Sequence, residues 1–286
     1  MDVFVLHLLN GLSFGFILFL LASGLSLIMG VMGTINLAHG ALYMVGAYVG
    51  FTIVVQHGLN YGLAVLAGGI VGGLIGLLIE RGFLSRLYRQ PLEQVLLTIG
   101  FVYILTNLCL LVWGGEVMRP FTAPWLSGSL NILGWTYPVT RVSIIPTGLM
   151  FAIGLWWLQE KTRVGAIIRA GMDDKEMTTG LGINLMRYSN AVFLLGSFMA
   201  GVAGVIGAQL LGISSDLAWN VLLLSLIVIV VGGMGSIQGA VLGAMMIGLI
   251  DSFGKALFPQ LAHIIPYLAM VVILVIRPSG LLGRRV

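Results

Sequence analysis

Residues 28–47 read IMGVMGTINLAHGALYMVGA, and their reading decides the fold. The stretch lies inside 77 consecutive residues, Val3 to Ile79, without a single Asp, Glu, Lys or Arg. An uncharged apolar run of that length belongs in lipid, where roughly 20 helical residues cross the hydrocarbon. Yet its middle is Gly33, Thr34, Ile35, Asn36, Leu37, Ala38, His39, Gly40: two glycines, an amide and an imidazole. Backbone polar groups in lipid must be satisfied, so a helix broken there has to lie against protein or a water-filled cavity. The break also gives the new helix free N–H groups and a partial positive charge at its start. Asn36 and His39 add a side-chain amide and a titratable ring.

The rest of the chain agrees with a membrane setting. Of 286 residues, 59% are hydrophobic and 8% charged, with a mean hydropathy of +1.08. A soluble domain carries about 25% charged residues. The expectation is an all-α polytopic membrane protein, one transmembrane domain over 1–286, with two Gly-broken helical regions. Spans are expected near 3–31, 36–56, 61–79, 94–113, 143–158, 188–215 and 263–276. The run 217–250 supplies one span and most of another, broken at Gly232–Ser236. That makes nine crossings, or eight if one broken region is re-entrant.

Charge supports the nine-span count. Three basic clusters lie outside the spans: Arg81, Arg86 and Arg89; Lys161, Arg163, Arg169, Lys175 and Arg187; Arg277, Arg284 and Arg285. Nine crossings put all three on one face, which the positive-inside rule makes cytoplasmic. The N-terminus is then outside, the C-terminus inside, and only Arg119, Arg141 and Lys255 fall on the outer face. The start, MDVFVLHLL, lacks the basic region of a cleaved signal peptide, so Val3 onward is expected as a retained first span. Cys109 is the only cysteine, which excludes an internal disulfide and a thiolate metal site.

The outer segment 114–142 is rich in Gly and Pro and carries Trp113, Trp125, Trp135 and Tyr137 at or within its edges. Two readings fit it: an interfacial aromatic belt, or a docking surface for an external partner. Gly68, Gly72 and Gly76 repeat every four residues, as do Gly235, Gly239 and Gly243, and Gly11 with Gly15. That spacing lets helix backbones approach closely.

The opening stretch has an echo. Gly30, Met32, Gly33 and Ile35 match Gly232, Met234, Gly235 and Ile237, and Thr34 matches Ser236 in kind. Gly-interrupted apolar segments in corresponding halves point to a transporter's substrate path.

Other chemistries lack their residues. GLIDSFGKA (Gly248–Ala256) has one residue too many for a phosphate loop and ends in Ala rather than Ser or Thr. Asp251 is the only candidate for a membrane-embedded coupling acid, and Lys255 four residues on reads as its structural ion-pair partner. His7, His39, His57 and His263 are scattered and form no ligand cluster. No enzyme and no cofactor is expected. In the inner loop 159–188, Asp173 followed by Glu176 can start a short helix.

Four stretches carry a family resemblance: GTINLAHGALYMVGAY (Gly33–Tyr48), RAGMDDKEMTTGLGIN (Arg169–Asn184), GGMGSIQGAVLGA (Gly232–Ala244) and RPSGLLG (Arg277–Gly283). Over essentially its whole length the chain resembles the inner-membrane permease subunits of ATP-binding-cassette importers for branched-chain amino acids. The resemblance implies a second, related permease chain, two ATP-binding cassette subunits and an external solute-binding protein as partners. It also implies a coupling helix in the inner loop, with the signature Glu-Ala-Ala, three residues, then Gly. Glu176-Met177-Thr178 and Gly182 keep the Glu–Gly spacing but lack both alanines. The coupling role is carried over to Arg169, Asp173, Glu176 and Gly182. Asn36, His39 and Tyr43, with Ser236 and Gln238, are expected to line or gate the path; capping of broken backbone is the other role open to Asn36 and His39. Many leucine-type members have Glu directly after the NxAHG motif, where this chain has Ala41. Similar permeases carry urea, short amides or aromatic carboxylates. A stand-alone channel or secondary transporter is the other class, and it needs embedded acids that the sequence largely lacks.

Overall fold

The computed structural model describes residues 2–33, 36–87, 90–132 and 135–282. Thr34, Ile35, Arg89, Gly134, Gly283, Arg284 and Arg285 lie outside the described residues. Eleven α-helices run α1 (Asp2–Met32), α2 (His39–Phe51), α3 (Tyr61–Gly82), α4 (Pro91–Trp113), α5 (Val139–Lys161), α6 (Arg163–Asp173), α7 (Lys175–Gly180), α8 (Leu185–Leu211), α9 (Leu217–Gly232), α10 (Ile237–Leu257) and α11 (Ile265–Ile276). Seven helical segments among the described residues are long and apolar enough to cross a membrane, counting the π-helical turn Thr52–Gln56 with α2 and Leu84–Arg86 with α3. Two apolar helices, α9 and α11, are shorter. The all-α polytopic expectation holds, and the nine apolar helices occupy the places expected of nine spans.

Burial grades the helices. α1 and α8 are enclosed over most of their length, whereas α4 and α5 bury little of theirs. α1 and α8 therefore form the axis, and the outer helices turn leucines and valines to the surroundings. Gly-rich faces let the axis close. The Cα atoms of Gly24 and Gly196 meet so tightly that a methyl on Gly24 would sit 2.6 Å from the Gly196 carbonyl oxygen. Gly68, Gly72 and Gly76 of α3 lie against Gly201 and Ser197 of α8, as their spacing predicts. Gly11 and Gly15 seat α10 against α1. The triple Gly235, Gly239, Gly243 is corrected: Gly235 precedes α10, so only the last two share its face. Gly239 and Gly243 pack against Gly232 at the end of α9.

Two regions depart from helix-and-loop expectations. The outer segment contains a two-stranded antiparallel hairpin, β1 (Ser129–Ile132) with β2 (Trp135–Pro138). The inner loop is mostly helical, as α6 and α7. The cap that starts α7 is Asp174, whose carboxylate accepts the Met177 N–H at 2.9 Å, rather than Asp173. The Asp251–Lys255 ion pair forms, at 2.6 Å.

Candidate functional site

α1 ends at Gly33, whose N–H donates to the Met29 carbonyl at 2.8 Å and whose φ is +68°. Glycine adopts that left-handed conformation without the backbone strain most other residues incur. The chain then doubles back along α1, because His39 Nε2 lies 3.0 Å from the carbonyl oxygen of Leu21. A carbonyl only accepts, so Nε2 carries the proton and Nδ1 is left as an acceptor. Asn36 Oδ1 accepts the Ala38 N–H at 3.1 Å, which stabilises the turn that opens α2. Both residues are buried, and neither His39 Nδ1 nor Asn36 Nδ2 has a partner among the described residues. One turn on, Tyr43 is fully buried with its hydroxyl against Gly207 of α8, also unpartnered there. Backbone support by Asn36 and cross-helix anchoring by His39 are thus in place.

A second break matches the first. α8 ends at Gly212, with φ +69° and its N–H on the Ala208 carbonyl. The following residues pair with the outer segment through an antiparallel bridge between Ile213 and Met118, at 2.9 and 3.0 Å. α9 then opens as α2 does. The His39 N–H donates to the Asn36 carbonyl, and the Trp219 N–H donates to the Asp216 carbonyl. Asn36-Leu37-Ala38 corresponds to Asp216-Leu217-Ala218. The two starts touch: Gly40 abuts the carbonyl oxygen of Ala218.

This joint lies at mid-depth. The Trp219 ring is 6.0 Å from that of Tyr103. Tyr103 is ten residues from the C-terminal end of α4, about 15 Å along it at 1.5 Å per residue. Asp216 therefore lies near the level of the middle of α4, and it is exposed. Asn220 Nδ2 donates to its Oδ2 at 2.7 Å, and Ser214 is its other side-chain partner. An ionised Asp facing the centre of the hydrocarbon costs about 2.5–3.5 kcal/mol on insertion scales, so Asp216 faces water or protein. Asp251 is accordingly not the only embedded acid. Asp216 is the one residue between the uncharged runs 188–215 and 217–250, and hydropathy gives no depth for such a junction. The signal that finds it is the Asn-Leu-Ala and Asp-Leu-Ala pair after a helix-ending glycine.

The echo 28–35 and 230–237 meets at a different level. Gly33 and Gly235 both have positive φ, +68° and +77°, and Gly30 packs on Gly235, 3.0 Å from a methyl on Gly30 to the Gly235 Cα. Met172 of α6 closes over both, its Cε within 2.5 and 2.8 Å of methyls placed on Gly30 and Gly235. Ser236 Oγ accepts the Gly239 N–H at 2.9 Å and caps α10, while Gln238 is exposed. The tail supplies the remaining donors: Leu281 and Leu282 N–H groups bind the Val231 and Gly232 carbonyls at 2.8 and 3.0 Å.

The expected path residues thus fall into two groups. Asn36, His39 and Tyr43 gather at mid-depth. Ser236 and Gln238 sit near the Gly30 end of α1, about 14 Å further along it than Leu21 at 1.5 Å per residue. In the inner segment, Arg169 pairs with Glu160 at 3.5 Å and bonds the Gln159 carbonyl. Asp173 ends α6, and Glu176 and Gly182 are exposed on and after α7.

Discontinuous helices that meet at mid-depth within a many-helix bundle are the architecture of a membrane transport protein. Residues 7–274 match the family described as branched-chain amino acid transport system, permease component, and the chain belongs to it. It is 28% identical to the high-affinity branched-chain amino acid transport system permease protein LivH of Escherichia coli K12, over 98% of this chain and 96% of that one. It is 28% identical to BraD of Pseudomonas aeruginosa, over 97% and 95%. An autoinducer 2 import system permease protein, LsrC of Yersinia pestis, is 28% identical over 82% of this chain and 66% of its own length. Among solved structures, PsaBC from Streptococcus pneumoniae in complex with Fab matches with a TM-score of 0.55, 12% identity and coverage of 96% and 91%, which is a likeness of fold.

Proposed function

We propose that this permease forms half of the translocation path of an ATP-binding-cassette importer in the inner membrane. It would carry branched-chain amino acids or a related small polar solute. Its partners in this reading are a second, related permease, two ATPase subunits that hydrolyse ATP, and an external solute-binding protein. The basic clusters face the cytoplasm and the N-terminus lies outside.

The observation that carries this reading is the position of Met172. α7 presents Met177 and Leu181 as exposed apolar side chains beside Glu176, a surface suited to an apolar groove in an ATPase. α6 follows directly from α5 and carries Met172 in its last turn, where it rests on both Gly30 and Gly235. A push on α7 thus has a short route to the ends of α1 and α9. Asn36, His39, Tyr43, Ser236 and Gln238 are the path or gate groups that such a push would move, and Arg169, Asp173, Glu176 and Gly182 form the coupling segment.

The test is leucine uptake and ATPase stimulation by the assembled complex in proteoliposomes. Met172→Ala is expected to leave leucine-independent ATPase activity in place and to lower leucine-stimulated hydrolysis and uptake together. Full coupling in Met172→Ala and in Glu176→Ala would remove the coupling assignment. Leucine uptake by the purified chain without ATPase subunits would remove the importer reading.

A further inference from the structure

We propose that Asp216 lines the solute path and reads a positively charged group, the ammonium of an amino acid being the nearest match. The inference rests on the permease reading above and adds a specificity residue to it.

Three observations carry it. First, depth: Asp216 opens α9 beside Tyr103 and Trp219, halfway along α4 rather than at its end. Second, charge: the partners of Asp216 among the described residues, Ser214 and Asn220, are neutral, so nothing compensates the carboxylate. The ion pairs formed elsewhere, Arg169 with Glu160 and Lys255 with Asp251, are near the two faces. Third, company: Ser215, Asp216 and Asn220 form an exposed polar patch at the start of an otherwise apolar helix. Through Gly40 and Ala218 this patch adjoins the start of α2, where Asn36 Nδ2 and His39 Nδ1 are buried without partners. A donor amide, an acceptor ring nitrogen and a carboxylate at one joint suit a small zwitterion better than a neutral amide. Asp216 also offers a negative charge to a chain whose Ala41 supplies none after the NxAHG motif.

The experiment uses the assembled complex in proteoliposomes with leucine as the probe. Asp216→Asn is expected to lower leucine uptake at least tenfold, and Asp216→Glu to restore a third or more of it. In parallel, Asp216→Cys is treated with a membrane-impermeant thiol reagent; the native thiol, Cys109, is buried and gives a low background. Labelling of the Asp216→Cys complex, slowed several-fold by leucine, is the expected result. Normal leucine uptake by Asp216→Asn would overturn the proposal while leaving the permease reading intact. So would an Asp216→Cys thiol that reacts in the isolated chain but not in the complex, since a partner subunit would then cover it. Absence of leucine uptake in the unsubstituted complex refutes the amino-acid reading itself, and the ammonium assignment with it.

Discussion

The joint between α2 and α9 and the joint between α9 and α10 are both helix breaks made with glycine, yet they are finished differently. At the inner joint the loose backbone groups are accounted for locally. Ser236 caps α10, and the tail residues Leu281 and Leu282 close the end of α9. At the mid-depth joint the backbone is supported, but side-chain atoms of Asn36, His39 and Tyr43 have no partner among the described residues and Asp216 is exposed. Buried polar groups are nearly always paired, and this cluster of exceptions is what the proposed solute path would meet.

That contrast can be broken by mutation. The largest effect is expected at Gly40, where a side chain would run into the Ala218 carbonyl and lie 2.8 Å from the Leu222 Cβ. Gly40→Val is expected to destabilise the chain by about 3 kcal/mol through overpacking. Gly100→Val, at a position with open space, serves as the control. Thermal unfolding in detergent, followed by tryptophan fluorescence, measures both, and equal melting temperatures would dissolve the joint as a packed unit. Next is Gly280→Val. Its φ is +77° and a Cβ would lie 2.7 Å from the Val230 carbonyl oxygen, so the tail should detach at a cost of about 2 kcal/mol in strain and unpaired carbonyls.

Smaller changes sharpen the comparison further. Asn36→Ala removes a buried acceptor from the Ala38 N–H and should cost about 1–2 kcal/mol. It should also abolish transport at temperatures where the protein stays folded. Ser236→Ala loses only an N-cap bond at a half-buried site, worth about 1 kcal/mol, and is expected to reduce transport less. Measured side by side, a larger transport defect in Ser236→Ala would reverse the assignment of the two joints.

Much of this was legible in the chain. The long spans follow from charge-free runs, the breaks from glycine beside Asn or Ser, and the Asp251–Lys255 pair from its i,i+4 spacing. What the sequence hid is depth. Residues 212–216 fall where one uncharged run gives way to the next, and hydropathy, a local quantity, does not say how deep that junction sits. Their position is set by remote contacts: Met118 with Ile213, Gly40 with Ala218 and Tyr103 with Trp219. The pairing of breaks was hidden for a related reason. The echo 28–35 and 230–237 places glycines of like conformation, Gly33 and Gly235, but the structural counterpart of the first break is Gly212–Leu217. Two residues separate Gly33 from Asn36 and three separate Gly212 from Asp216, and that one-residue difference masks the match. The hairpin at 129–138 and the reach of Met172 likewise depend on neighbours distant in the chain.

The clasp of the tail on α9 has a consequence for how the protein is made. Val231 and Gly232 leave the ribosome well before Leu281 and Leu282, and α10 and α11 are synthesised in between. The C-terminal end of α9 therefore stays open through the insertion of both helices. Only then does the tail fold back and fix the turn on which Gly30 and Met172 rest. A chain interrupted after α11 would carry every span and still lack the fastening that sets its inner joint.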